Sequence, residues 1–200
     1  MSLPAILSSQ QFDAHVLAWG IQKPSVRRDG KLRRGVVKVL YNTSDQNIVA
    51  LLGPAEKALC EIRQLPALKA GPHLPRQYAF FRTETLCVSI QQNLGPNLEE
   101  AYLGESLPII HMDAIERVAK KLLEAIAYIH EKKILHGDIK PANCSKHGDL
   151  FDFGLATYIG HQGTNRLLYS PHYRPPEVTA KHPTFLSADI WALGCVFFEL

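Results

Sequence analysis

An α+β chain of two lobes is predicted by three stretches of this 200-residue sequence. Val36-Val37-Lys38-Val39-Leu40 is a β-branched apolar run of strand length, and Ile115 to Ile129 carries apolar residues at helical spacing. Ser187 to Leu200 is apolar nearly all round, the pattern of a helix buried at a domain centre. A small sheet with one helix comes first, and a mainly helical lobe follows.

Taken in order, Phe12 to Trp19 and Gly35 to Tyr41 read as strands. Between them lies the basic run Arg27-Arg28-Asp29-Gly30-Lys31-Leu32-Arg33-Arg34. It fits a solvated hairpin around Asp29-Gly30, a nuclear-import patch or a phosphate-attracting cover. Lys38 lies inside an apolar strand, where an unpaired charge is costly. Its partner is expected on a helix that begins near Pro54, a residue favoured at the first helical position, and ends about Leu65, before Pro66. Ala58, Ile62 and Leu65 form that helix's apolar stripe, and Glu56 or Glu61 supplies the carboxylate.

Further on, Asp113 and Glu116 suggest a capped helix start, with Ile115, Val118, Ala119, Leu122, Leu123, Ile126 and Ile129 facing the core. Ser187 reads as the cap of the last helix.

Composition narrows the function classes. The chain is 46% hydrophobic and 20% charged, an ordinary globular balance, and a net charge of +3 gives no ground to expect nucleic acid or membrane as a partner. Cys60, Cys87, Cys144 and Cys195 are scattered, and Cys144 with His147 has no second pair to complete a zinc site. Reduced thiols and a cytoplasmic or nuclear location are expected. Met1 to Gln11 shows no signal-peptide pattern, and the apolar run Ile190 to Phe198 is too short to span a bilayer.

The chemistry is concentrated in His136-Gly137-Asp138-Ile139-Lys140-Pro141-Ala142-Asn143 and, nine residues after that Asn, Asp152-Phe153-Gly154. Magnesium takes hard oxygen ligands and keeps much of its water, so one carboxylate, one amide and a set of phosphates suffice. Asp152 and Asn143 supply the protein oxygens. Asp138 is placed to orient and deprotonate a hydroxyl, and Lys140 to neutralise charge on phosphoryl oxygens. A lone Asp-Phe-Gly would more often be a polar turn; both motifs in order argue against that.

With Tyr173-Arg174-Pro175-Pro176-Glu177 and Asp189-Ile190-Trp191-Ala192-Leu193-Gly194 downstream, the motif series resembles the eukaryotic protein kinase superfamily. The resemblance implies a two-lobed protein kinase fold: an N-lobe over 1–90, a hinge over 91–97, and a partial C-lobe over 98–200 that ends in the central buried helix. A complete kinase domain is longer, so the C-lobe is expected to be truncated and to lack the Arg that pairs with Glu177 in the family. The resemblance also implies that Asp189 holds the catalytic-loop backbone.

Ser89 to Glu100, with Leu94-Gly95-Pro96-Asn97-Leu98-Glu99, resembles the hinge of the casein kinase I family, although a plain Gly-Pro turn fits the same residues. That register selects Glu61 over Glu56 as the partner of Lys38. It makes Gln91 the gatekeeper and Gln92 to Leu94 the backbone that binds adenine. Tyr-Arg-x-Pro-Glu, by contrast, resembles the cyclin-dependent kinase group.

Two readings follow. The first is a Ser/Thr kinase that uses ATP and Mg on a protein substrate, with a regulatory protein as a further partner; Lys140 and Ser170 resemble the Ser/Thr pattern. The second is a pseudokinase or interaction module, suggested by the missing Gly-x-Gly-x-x-Gly loop, since Gly20, Gly30 and Gly35 are too dispersed. Gly137 stands where many kinases carry the Arg that receives an activation-loop phosphate. Activity is thus expected to depend little on phosphorylation of Thr164, Tyr169 or Ser170. The link from Asn143 to Asp152 is short, but nine extended residues reach about 30 Å, and a turn at Lys146 to Gly148 is expected to return the chain. Cys144 and Ser145 replace the usual apolar strand there.

Overall fold

The computed structural model describes residues 25–28, 31–41, 71–82, 86–103, 111–164 and 168–200. The strand expected at Phe12 to Trp19 and the helix carrying Glu61 lie outside these residues. The chain divides into two compact units, residues 1–48 with 76–93, and residues 49–75 with 94–200.

In the first unit, β1 (Ser25–Arg28), β2 (Lys31–Tyr41), β3 (Gln77–Arg82) and β4 (Leu86–Gln92) form an antiparallel sheet in the order β1-β2-β4-β3. The basic run is a hairpin: Arg28 pairs with Lys31 and Ser25 with Arg34. Strand β2 begins earlier than its valines suggest, at Lys31, because the hairpin register carries the ladder back through the arginines. It sits between β1 and β4, with Lys38 opposite Ser89 and Gly35 opposite Gln92.

The second unit is built on α2 (Met112–Glu131), which follows the short α1 (Leu98–Tyr102). Val118, Leu122, Ala125, Ile126 and Ile129 form the buried stripe of α2. Leu123, expected in the stripe, is 46% exposed, because it sits one position round from Leu122, whereas Ala125 is fully buried.

The expected Asp113–Glu116 cap is not formed. His111, in extended backbone, precedes the helix without a side-chain cap bond, and its carbonyl accepts from the Ala114 and Ile115 N–H groups. Asp113 lies inside the first turn, where its charge still suits the helix dipole.

A capping box appears instead at α1. Asn97 Oδ1 accepts from Glu100 N at 2.7 Å, and Glu100 Oε2 accepts from Asn97 N at 3.3 Å.

After α2 come β5 (Ile134–Leu135) and β6 (Thr157–Tyr158), which pair antiparallel. The expected turn at Lys146 to Gly148 is present. Cys144 bridges to Leu150 and Ser145 to Asn97. The Ser145 hydroxyl donates to Asp149 Oδ2 at 2.8 Å and accepts from the His147 and Asp149 N–H groups. Gly148 has φ +90, and a Cβ there would lie 2.9 Å from Lys121 Cβ. Cys144 is a free, fully buried thiol, pushed up to about 12 by that burial.

The chain closes with α3 (Pro176–Thr179) and α4 (Ser187–Glu199). Ser187 is not the cap of α4: Leu186 precedes the helix in helical backbone, and no side-chain cap bond forms. Nor is α4 buried all round. Ala188, Asp189, Ala192, Leu193 and Val196 are buried on one side, while Ile190, Trp191 and Phe198 are exposed, Phe198 at 93%. The described residues cover one face of this apolar helix and leave the other exposed.

Candidate active site

The catalytic loop leaves β5 at Leu135 and is shaped by a carboxylate 53 residues downstream. Asp189, fully buried on α4, accepts from His136 N at 2.8 Å through Oδ2 and from Gly137 N at 3.1 Å through Oδ1. The same two oxygens bond His130 Nε2 at 2.8 Å and the Tyr169 hydroxyl at 2.9 Å. A buried carboxylate demands such donors, and here they tie α2, the catalytic loop and the segment around Tyr169 to α4. Gly137 has φ +79, which suits glycine, and a Cβ would meet the Leu155 carbonyl at 3.1 Å and Leu168 Cδ1 at 3.2 Å.

The turn that Asp189 fixes presents Asp138, Lys140 and Asn143 to one another. Asp138 Oδ2 is 2.9 Å from Lys140 Nζ and accepts from Asn143 Nδ2 at 2.9 Å; the same Nδ2 donates to the Asp138 carbonyl at 2.7 Å. Ser170 closes the ring, its hydroxyl donating to Asp138 Oδ1 at 3.1 Å and accepting from Lys140 Nζ at 3.2 Å. Asn143 closes the 3-10 turn Pro141–Asn143, whose first position is a proline, a residue favoured there.

His136 is the hidden member of the loop. Asp138 N donates to its Nδ1 at 3.3 Å, so the ring proton sits on Nε2, which donates to the Phe151 carbonyl at 3.0 Å. The ring also meets Phe153 in a tilted contact, centroids 4.8 Å apart at 58°. Complete burial holds this imidazole below its ordinary pKa of 6.5, outweighing the pull of Asp189, the Phe151 carbonyl, Asp152 and Asp138. Below pH 6.5 the unfolded chain therefore binds a proton that the folded chain refuses. Stability falls as the pH drops from 6.5 toward the depressed folded value. Urea unfolding at pH 7.5 and 5.5 should show a smaller loss of stability for His136→Leu than for the wild type; equal losses would sink this account.

Asp152 has left-handed backbone (φ 62, ψ 70) and leads the 3-10 turn Phe153–Leu155, whose Phe153 is buried. Its charge and that of Asp138 both pull the His136 pKa upward against the effect of burial. Among the described residues no group of three His, Cys, Asp or Glu side chains could hold a metal. The donors offered are instead one carboxylate, Asp152, and one amide. Asn143 turns its nitrogen to Asp138, so its oxygen is the atom it would offer a cation. That set suits magnesium, which takes few protein oxygens and fills its shell with water and phosphate.

The remaining expected site residues are distributed as follows. Lys38 is a mid-strand residue of β2 in the first unit. Gln92 ends β4, and its N–H donates to the Arg76 carbonyl at 2.8 Å, so that donor is not the one offered to an adenine ring. Leu94 begins the second unit's chain after the sheet. Glu61 lies outside the described residues. Among the described residues, Glu177 forms no ion pair. Three participants escaped the sequence reading: His130, the Tyr169 hydroxyl and the catalytic-loop role of His136. Only His136, the first residue of the motif, had a local signal.

A protein kinase domain model matches residues 25–200. Over 179 residues the chain is 38% identical to the serine/threonine-protein kinase fused of Drosophila melanogaster, covering 82% of this chain and 22% of that protein. Over 184 residues it is 27% identical to serine/threonine-protein kinase 36 of Mus musculus, covering 86% of this chain and 14% of that protein. The chain spans less than a third of the length of the curated relatives first matched. A crystal structure of a kinase domain superposes with a TM-score of 0.68 at 21% identity, covering 89% of this chain and 59% of that one, which shows the shared fold. With the motif series, the Asp138 cluster and a family match that runs from β1 to the last residue, the chain belongs to the protein kinase domain family.

Proposed function

We propose that this chain is the catalytic part of a serine/threonine-protein kinase, transferring the γ-phosphoryl group of ATP to a protein hydroxyl. The observation that carries the reading is the Asp138 carboxylate, bonded at once by Lys140, Asn143 and Ser170. A substrate hydroxyl entering this cluster would donate to Asp138, which orients it and takes its proton as the new O–P bond forms. Lys140, 2.9 Å from Asp138, neutralises charge on the entering and transferring oxygens. Asp152 and Asn143 would hold magnesium, which supplies screening of the phosphate charge.

The link from Lys140 to Ser170 ties the substrate-side segment to the base, and with the names of the relatives it supports Ser and Thr as acceptors. The pseudokinase reading rests on the glycine pattern alone, and the intact cluster weighs against it.

Thermal melts with and without magnesium ATP test the first half of the proposal. At a ligand concentration a hundredfold over Kd the native state gains about 2.7 kcal/mol, an upward shift on the order of 5–10 °C for a domain of this size. Transfer of radiolabel to myelin basic protein, followed by phosphoamino-acid analysis, tests the second. No shift and no label would overturn the proposal, and label found only on tyrosine would overturn its acceptor class.

A further inference from the structure

We propose that Tyr169 is a positioning residue whose hydroxyl, anchored on Asp189, holds Ser170 against the catalytic carboxylate Asp138. Tyr169 is buried at 3% exposure, yet its backbone lies in the left-handed region with φ 67, a conformation a bulky residue adopts only when its surroundings enforce it. Three bonds do so. Its N–H donates to the Gly137 carbonyl at 2.8 Å, its hydroxyl donates to Asp189 Oδ1 at 2.9 Å, and its carbonyl accepts from Arg174 Nη2 at 2.9 Å. Arg174 Nε also donates to the Leu168 carbonyl at 3.2 Å, so one guanidinium clasps two successive carbonyls. The next residue is Ser170, bonded to Asp138 and Lys140.

Asp189 thus fixes both sides of the same contact. Its bonds to His136 N and Gly137 N set the loop that carries Asp138, and its bond to Tyr169 sets the segment that carries Ser170. Burial beside Asp189 drives the phenol well above its ordinary pKa, so it stays a donor at every working pH. The hydroxyl is also closed to modification in this arrangement. The segment around Ser170 is therefore held by its own side chains, and no phosphate is needed to tie it to the catalytic loop.

The inference deepens the kinase reading, and its kinetic arm rests on that reading. Tyr169→Phe keeps the ring and removes only the hydroxyl. In the full chain it should lower kcat/KM for myelin basic protein about tenfold and leave KM for ATP within twofold, because none of the Tyr169 bonds reaches Asn143 or Asp152. Amide exchange read by mass spectrometry should accelerate at residues 168–174 and stay unchanged in α2. Wild-type kcat/KM together with unchanged exchange would overturn the proposal. An acceleration that extends through α2 would also overturn it, by making Tyr169 a packing residue of the whole unit. If the wild type transfers nothing, the kinase reading fails, and the exchange arm still decides the role of Tyr169.

Discussion

Asp138→Asn should reduce phosphoryl transfer by a factor on the order of a hundred to ten thousand, the span that a general base contributes. The substitution preserves shape. An asparagine oxygen can still accept from Asn143 Nδ2 or from the Ser170 hydroxyl, so the loop should keep its turn. Two things are lost: the basic oxygen that takes the substrate proton, and the negative charge 2.9 Å from Lys140 Nζ. Freed from that charge, Lys140 would pull on the phosphates without an adjacent base. Nucleotide binding should survive, because Asp152 and the Asn143 oxygen are untouched, whereas Asp152→Asn should weaken magnesium-dependent binding. Single-turnover transfer of radiolabelled phosphate, with the magnesium ATP melting shift measured in parallel, separates the two variants. Unchanged transfer in Asp138→Asn would remove Asp138 from the chemistry.

Asp189→Ala should strongly destabilise the second unit. The carboxylate is fully buried and serves two backbone N–H groups, the His130 ring and the Tyr169 hydroxyl. Alanine would leave the two N–H groups and the phenol buried with no acceptor, and removing one partner of a buried charged network costs about 3–5 kcal/mol. For a domain of this size that is a fall in Tm on the order of 10 °C. Asparagine is a poor substitute, because its NH2 would face donors with a donor. Circular-dichroism melts of the alanine variant check the size of the effect. A Tm within 2 °C of the wild type would mean that solvent or relaxation replaces these bonds, roughly the shift that 1 kcal/mol produces in this size range.

The candidate catalytic residues were legible in the sequence because the proposed chemistry restricts residue type at fixed, short spacing: Asp138, Lys140 and Asn143 fall within six positions. The structure brings them together as the spacing implied. The valine-rich strand holding Lys38 was legible for the same local reason. His130 and the Tyr169 hydroxyl were not, since each reaches Asp189 across 59 and 20 residues with no periodic pattern linking them.

The helix starts failed differently. Asp113 and Ser187 are residue types that favour caps, but each lies inside its helix, which is preceded by extended His111 in one case and by helical Leu186 in the other. Side-chain preference could not reveal that. Leu123 and Ala125 show the same limit, since helix phase, set by packing, decided burial over hydrophobicity.

The reliance of the catalytic loop on Asp189 also has a consequence for how the protein is made. His136 and its carboxylate are 53 residues apart, and at about 5–20 residues per second a ribosome needs roughly 3–10 s to cover that distance. Throughout that interval the growing polypeptide already carries His136 to Asn143 but not the group that bends them into place. Until the residues of α4 have been made, the His136 and Gly137 N–H groups lack the carboxylate that accepts from both of them.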